Sequence, residues 1–165
     1  EASGRVVAAT LVVLGGVAAG VVVRDDSPDP DISSAEALTT AILAADHLVY
    51  NEGSSGLYIA KLMDRLGIAG AVAGKTVRVA NGAAVMAKLV ELAPAGAIGF
   101  GQVTEIRLHA EAGVRLVGPL PDPVGNVTTY GAALLSGTGG PARDFLAYLA
   151  TGEAHEILVA TGILR

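Results

Sequence analysis

The chain has 165 residues, of which 52% are apolar, 16% charged and 4% aromatic, with a formal charge of −5. That balance fits an aliphatic α/β core and excludes a disordered or coiled-coil chain; without a Lys/Arg cluster among aromatics, no nucleic-acid partner is expected. The absence of cysteine excludes disulfides, thiolate-bound zinc and thiol catalysis.

Such a length allows one ordinary domain or an incomplete two-lobed protein. An opening on Glu1 rather than methionine is expected of a processed product, a trimmed chain or a fragment. The first element lies in the uncharged run Val6–Val23, bounded by Arg5 and by Arg24-Asp25-Asp26. Its length sits at the lower limit for a membrane-spanning helix, and Gly16-x-x-x-Gly20 is a helix-pairing pattern. Its valine content and the Gly15-Gly16 interruption favour two buried strands instead. The proline-punctuated turn Asp25–Asp31 follows, then a helix with Ser33 as its cap and Glu36 at capping-box spacing, running to about Ala45.

A short strand is predicted at His47–Tyr50, and after the Asn51-Glu52-Gly53 turn a helix runs from about Ser55 to Leu66, stopped by Gly67. Thr76–Ala80 reads as a strand, Asn81-Gly82 as a turn and Ala83–Leu92 as a helix. Ala95–Phe100 is the next strand, Val103–His109 a helical turn, and Val114–Val117 a strand that Gly118-Pro119-Leu120-Pro121 cannot continue. A long strand at Val127–Leu135 and helices at about Pro141–Ala150 and Gly152–Thr161 close the chain. Alternating β and α elements predict an α/β fold, a mostly parallel sheet with helices on both faces.

In such sheets ligands bind where strand C-termini meet helix N-termini. Three junctions qualify: Asn51–Tyr58, Ala80–Val85 and Phe100–Thr104. Apart from Glu52 and Glu105 they carry no charge, so a solvated cation is a poor fit and no metal or cofactor is expected. Hydroxyls and free N–H groups at a helix mouth suit an anion, although an ordinary helix cap has the same composition. His47, His109 and His155 converge on nothing evident. Ser54, Ser55 and Tyr58 lack a hydrolase context, and no phosphate-loop pattern occurs.

Several segments in order resemble the periplasmic substrate-binding proteins of molybdate-type ABC transporters, with the type II periplasmic-binding fold. They are Pro30–Leu38, SSGLYIAKLMDRLGI from Ser54, Gly99–Ile106, Leu116–Pro121, and Phe145–Leu149 with Gly162-Ile163. The resemblance implies an oxyanion held by hydroxyls and backbone amides between two lobes, and an ABC transporter membrane component as partner, outside the cytoplasm. It places ligand contacts at Ser54, Ser55 and Gly56, at Ala83 and Ala84, and at Gln102, which stands where molybdate binders have tyrosine. It also implies a complete second lobe (25–121) between a first-lobe remnant with the hinge strand (1–24) and a return strand with C-terminal helices (122–165). Nothing matches the family's serine-bearing N-terminal segment. Exposed apolar surface is therefore expected, covered by that segment or by self-association into a homo-oligomer. A structural or regulatory oligomer without ligand affinity is the alternative. An enzyme is the weakest reading, because only His47 or Glu52 could serve as a nearby base.

Overall fold

The computed structural model describes residues 5–93 and 96–164, in two compact units. The larger unit is Ala18–Asn126; the smaller comprises Glu1–Val17 and Val127–Arg165, of which residues 1–4 and 165 lie outside the described residues. Strand β1 (Val12–Arg24) contributes to both.

The larger unit continues with α1 (Ala35–Ala44), β2 (His47–Asn51), α2 (Ser54–Arg65), α3 (Ala69–Val72), β3 (Thr76–Val79), α4 (Gly82–Glu91), β4 (Ala97–Gln102), α5 (Val103–Leu108) and β5 (Val114–Pro119). Its sheet order is β3-β2-β4-β1-β5. β2 runs parallel to β3 and β4, whereas β1 is antiparallel to β4 and β5. The sheet is therefore mixed rather than mostly parallel. A valine run buried on both faces reads the same in either direction, so its composition carries no sign of strand polarity.

Period-two alternation sorts the side chains to the two faces. Val21, Val23, Leu48, Tyr50, Ile98 and Phe100 pack with Leu38 and Ile42 of α1 and with Ile59, Leu62 and Met63 of α2. On the other face Val22, Val49 and Ala97 pack with Val85, Met86 and Leu89 of α4 and with Ile106 of α5. Each fully buried Leu, Ile or Val contributes about 1.5–3 kcal/mol relative to exposure.

The smaller unit holds a 3-10 turn at Ala8–Thr10, the first part of β1, β6 (Val127–Ala132), α6 (Pro141–Leu149) and α7 (Gly152–Ala160). β6 pairs with β1, and Gly16 exchanges backbone bonds with Leu164 at 3.0 and 2.7 Å. Val17, Leu134 and Ala154 are buried there, while Leu11, Val13, Val127, Leu135, Phe145 and Ile157 are all more than half exposed.

Five local expectations change. The opening run forms one strand from Val12, not two around Gly15-Gly16. Gly15 adopts φ +132°, which glycine tolerates within a continuous strand, and the Leu164 carbonyl lies against it. The first helix is capped by Ser34, whose Oγ accepts the Ala37 N–H at 3.1 Å, because the Ser33 N–H is taken by the Asp31 carboxylate at 2.9 Å. Asn81 is a helix cap and Gly82 the first helical residue. β5 reaches Pro119, tolerated at the end of an outer strand where the missing N–H leaves no partner unmet. β6 ends at Ala132 because Leu134 and Leu135 bond to Val7 and Val6 instead. Ala95, the expected start of β4, lies outside the described residues. No helix among the described residues is long and apolar enough to cross a membrane.

Candidate functional site

The parallel strands of the larger unit finish along one edge. Asn51 is in register with Val79, and Val49 with Gly99, so β2, β3 and β4 end at similar levels. Each is followed closely by a helix, α2, α4 or α5. First-turn N–H groups and the positive ends of the longer helices therefore collect on that edge.

The α2 mouth is built on Asn51, the one buried polar residue among the described residues, 6% exposed. Its Oδ1 accepts the N–H groups of Gly53 and Gly56 at 2.8 and 3.3 Å, and its Nδ2 donates to Ser55 Oγ at 3.0 Å. Gly56 passes so close to the strand end that a Cβ would stand 1.6 Å from the Asn51 carbonyl oxygen. Only glycine permits that approach. Ser54 is exposed, Ser55 half-buried and Gly56 buried. The N–H groups of Ser54 and Ser55 precede the first bond of the helix, from Leu57 N–H to the Gly53 carbonyl at 2.9 Å.

At the α4 mouth the Asn81 side chain accepts the Ala84 N–H at 2.9 Å. Ala84, expected as a backbone donor to ligand, already has an internal acceptor. The N–H groups that precede the first helical bond there and lie ahead of this cap belong to Gly82 and to exposed Ala83. The Glu105 carboxylate sits over Gly82, where a Cβ would be 1.9 Å from Glu105 Oε2. That places a negative group beside the mouth. Gln102 caps α5, is half-buried and lies in register with Ala19 of β1. The register thus brings Ser54, Ser55, Gly56, Ala83, Ala84 and Gln102 to one sheet edge.

Tyr58 points elsewhere. Its hydroxyl lies 3.0 Å from the Val124 carbonyl and 3.2 Å from that of Gly125, and it accepts from Arg65 Nη2 at 2.7 Å. It pins the 122–126 segment to α2. His47 opens β2, His109 Nδ1 lies 2.9 Å from its own helix's Glu105 carbonyl, and His155 lies on α7. Among the described residues no three His, Asp or Glu side chains group to hold a metal. A cavity of about 550 Å³ lies between α1 and the turn at residues 27–31, against Ala97 and Ile98 at the end of β4 away from Gln102. Two features escaped sequence reasoning. Asn51 looked like a turn residue, although an Asn with Gly53 two residues on is a legible side-chain-to-backbone turn signal; Glu105 reads in the sequence only as a charge beside the third junction, because its position over Gly82 arises from the packing of α5 against α4.

The bacterial extracellular solute-binding protein family matches residues 1–164. The chain belongs to that family. A curated relative, an aconitate isomerase from Pseudomonas sp, is 28% identical over 173 residues, covering 98% of this chain and 61% of the relative. The chain thus spans about three-fifths of that relative's length. Among solved structures, the substrate-binding domain assigned to a molybdenum ABC transporter of Clostridium difficile is similar with TM-score 0.72 and 15% identity, over 98% of this chain and 69% of that one. Peb3 from Campylobacter jejuni gives TM-score 0.69 at 16% identity, over 99% and 71%. A PEB3 structure with bound L-phospholactate gives TM-score 0.71 at 16% identity, over 99% and 71%. The extracellular solute-binding family accounts for the mixed α/β sheet flanked by helices, a fold shared with type II periplasmic binding proteins. Members of the family are described as bacterial extracellular solute-binding proteins.

Proposed function

We propose that this solute-binding protein holds a small oxyanion at the edge formed by the α2 and α4 mouths. The observation that carries the reading is the set of neutral donors around Ser54 and Ser55, preorganised by buried Asn51. Such donors recognise anionic oxygens without a charged partner. Ser54, Ser55 and Gly56 form one wall, Ala83 with the capped turn at Ala84 a second, and Gln102 supplies an amide that donates or accepts. A molybdate-type anion is one candidate. The similar proteins also include one bound to L-phospholactate and one named for aconitate, which supports a carboxylate or phosphate group equally.

In this reading residues 25–121 act as the second lobe, residues 1–24 and 122–165 as parts of the first, and an ABC transporter membrane component receives the solute. The exposed apolar side chains of the smaller unit are covered by a further first-lobe segment or by a second copy. Calorimetry of the full-length protein with molybdate, sulfate, phosphate, L-phospholactate and cis-aconitate tests the ligand class. Saturable binding of one of them is expected. A folded, stable oligomer that binds none of them supports the structural alternative instead.

The relative named aconitate isomerase favours a second reading, in which Glu105 beside Gly82 moves a proton on a bound tricarboxylate. Interconversion of cis- and trans-aconitate that is lost in Glu105→Gln would support it; wild-type protein that binds aconitate without converting it removes it.

A further inference from the structure

We propose that the cavity beside α1 is a second binding site, which takes a primary ammonium ion carried on an aliphatic body. It lies within the larger unit, at the end of β4 away from Gln102, and does not depend on the oxyanion reading above.

The cavity, of about 550 Å³, has an aliphatic interior. β1 and β4 are antiparallel, so Val23 near the end of one meets Ala97 and Ile98 at the start of the other, and these form its floor. Ala37, Ala41 and Ala44 face it from α1 at helical spacing, and Pro28 and Pro30 close the opposite side. Polar ties hold these walls apart. The Arg115 guanidinium, from β5, pairs with Asp29 and donates to the Ser27 carbonyl at 2.6 Å, which fixes the turn. Lys75 donates to the Leu43 and Ala45 carbonyls at 2.7 and 2.6 Å and fixes the end of α1. The Asp46 carboxylate accepts the Gly96 N–H at 2.8 Å at the entry to β4. A preformed apolar cavity of this kind gains by burying an aliphatic group.

Charge at the rim selects the head group. Among the described residues Asp29 and Asp31 are the ionisable side chains that line the cavity, and no aromatic ring lines it. Arg115 neutralises Asp29, whereas no cation among the described residues pairs with Asp31. The Ser33 hydroxyl and N–H hold the Asp31 carboxyl below its usual value, so it is ionised at neutral pH. A carboxylate has about four acceptor positions, which leaves room there for a further donor. Quaternary ammonium groups are held by aromatic faces, and none is present; the N–H donors of a primary ammonium match a carboxylate. An anionic head group would meet like charge.

Amide chemical shifts of the full chain, titrated at neutral pH with n-alkylamines from butylamine to heptylamine, test the site. Saturable shifts should centre on residues 27–45 and 96–98. Each added methylene should tighten binding about fourfold. Hexan-1-ol should bind about fivefold more weakly than hexylamine, and hexanoate more weakly still. Asp31→Asn keeps an oxygen for the Ser33 N–H; it should weaken hexylamine about fivefold and leave hexan-1-ol unchanged. Ala44→Phe, at an exposed position on the cavity wall, should block both. Hexan-1-ol that binds as tightly as hexylamine, or a hexylamine affinity untouched by Asp31→Asn, overturns the ammonium assignment. Hexylamine binding that survives Ala44→Phe, or no saturable shift at the cavity with any probe, overturns the site and leaves the oxyanion reading intact.

Discussion

Gly56→Ala is the sharpest test of how the candidate site is built. The new methyl carbon would stand 1.6 Å from the Asn51 carbonyl oxygen and 2.6 Å from its carbonyl carbon. Both are backbone atoms at the end of β2, a strand held on each side by β3 and β4, so no side-chain rotation relieves the clash. Either α2 moves away from the sheet, loosening buried Ile59, Leu62 and Met63, or the Asn51 turn opens and loses its N–H bonds. Overpacking of this kind costs about 1–3 kcal/mol, and a lost buried hydrogen bond adds about 1–3 kcal/mol. Taking about 3 kcal/mol in total and about 4 °C per kcal/mol for a unit near 100 residues, the melting temperature should fall by roughly 12 °C. Thermal unfolding followed by far-ultraviolet circular dichroism reads this directly. Gly70→Ala in α3 is the internal control, because nothing lies within 4 Å of its added Cβ; it should gain about 0.5–1 kcal/mol. A Gly56→Ala protein that melts within about 2 °C of wild type would refute the close-approach argument.

Asn81→Ala should cost about 1 kcal/mol through loss of the α4 cap, with faster amide exchange at Ala84 as its local signature. Tyr58→Phe should cost about 1–2 kcal/mol and speed amide exchange across residues 122–126, because the hydroxyl that meets the Val124 and Gly125 carbonyls is removed. Burial pushes the Tyr50 phenol above its ordinary value of 10.0, with Asp64 adding to the shift and Arg78 opposing it. A raised folded-state pKa means that the neutral phenol's stabilisation is complete below pH 10.0 and is lost as pH rises through the higher folded value. In a phenolate-absorbance titration the step that Tyr50→Phe removes should lie above pH 10.0.

Most of the larger unit was legible residue by residue. The strand at 47–50 and the helices near 55–66, 83–92 and 103–109 lie within about two residues of the observed elements, because period-two and period-3.6 apolar patterns reach both faces of the sheet. Less legible was the smaller unit, whose strand at 127–135 was overextended: its apolar side chains are mostly exposed, so pattern and burial part company there. The Val6–Val23 run misled in a different way. Gly15-Gly16 has the composition of a break, yet the backbone pairing of Gly16 with Leu164 carries the strand straight through.

The sequence by itself determined which segments could become helix or strand and marked a small polar turn before Leu57 as the mouth to watch. Short-range periodicity, caps and glycines encode those features, since they depend on neighbours along the chain. Only the tertiary structure decided that β1 runs antiparallel to β4, that Asn51 holds Ser55 through its amide, that Asn81 takes the Ala84 N–H and that Glu105 stands over Gly82. Those facts depend on strand direction and on distances of a few tenths of an ångström across the sheet edge, and no one-dimensional pattern specifies either.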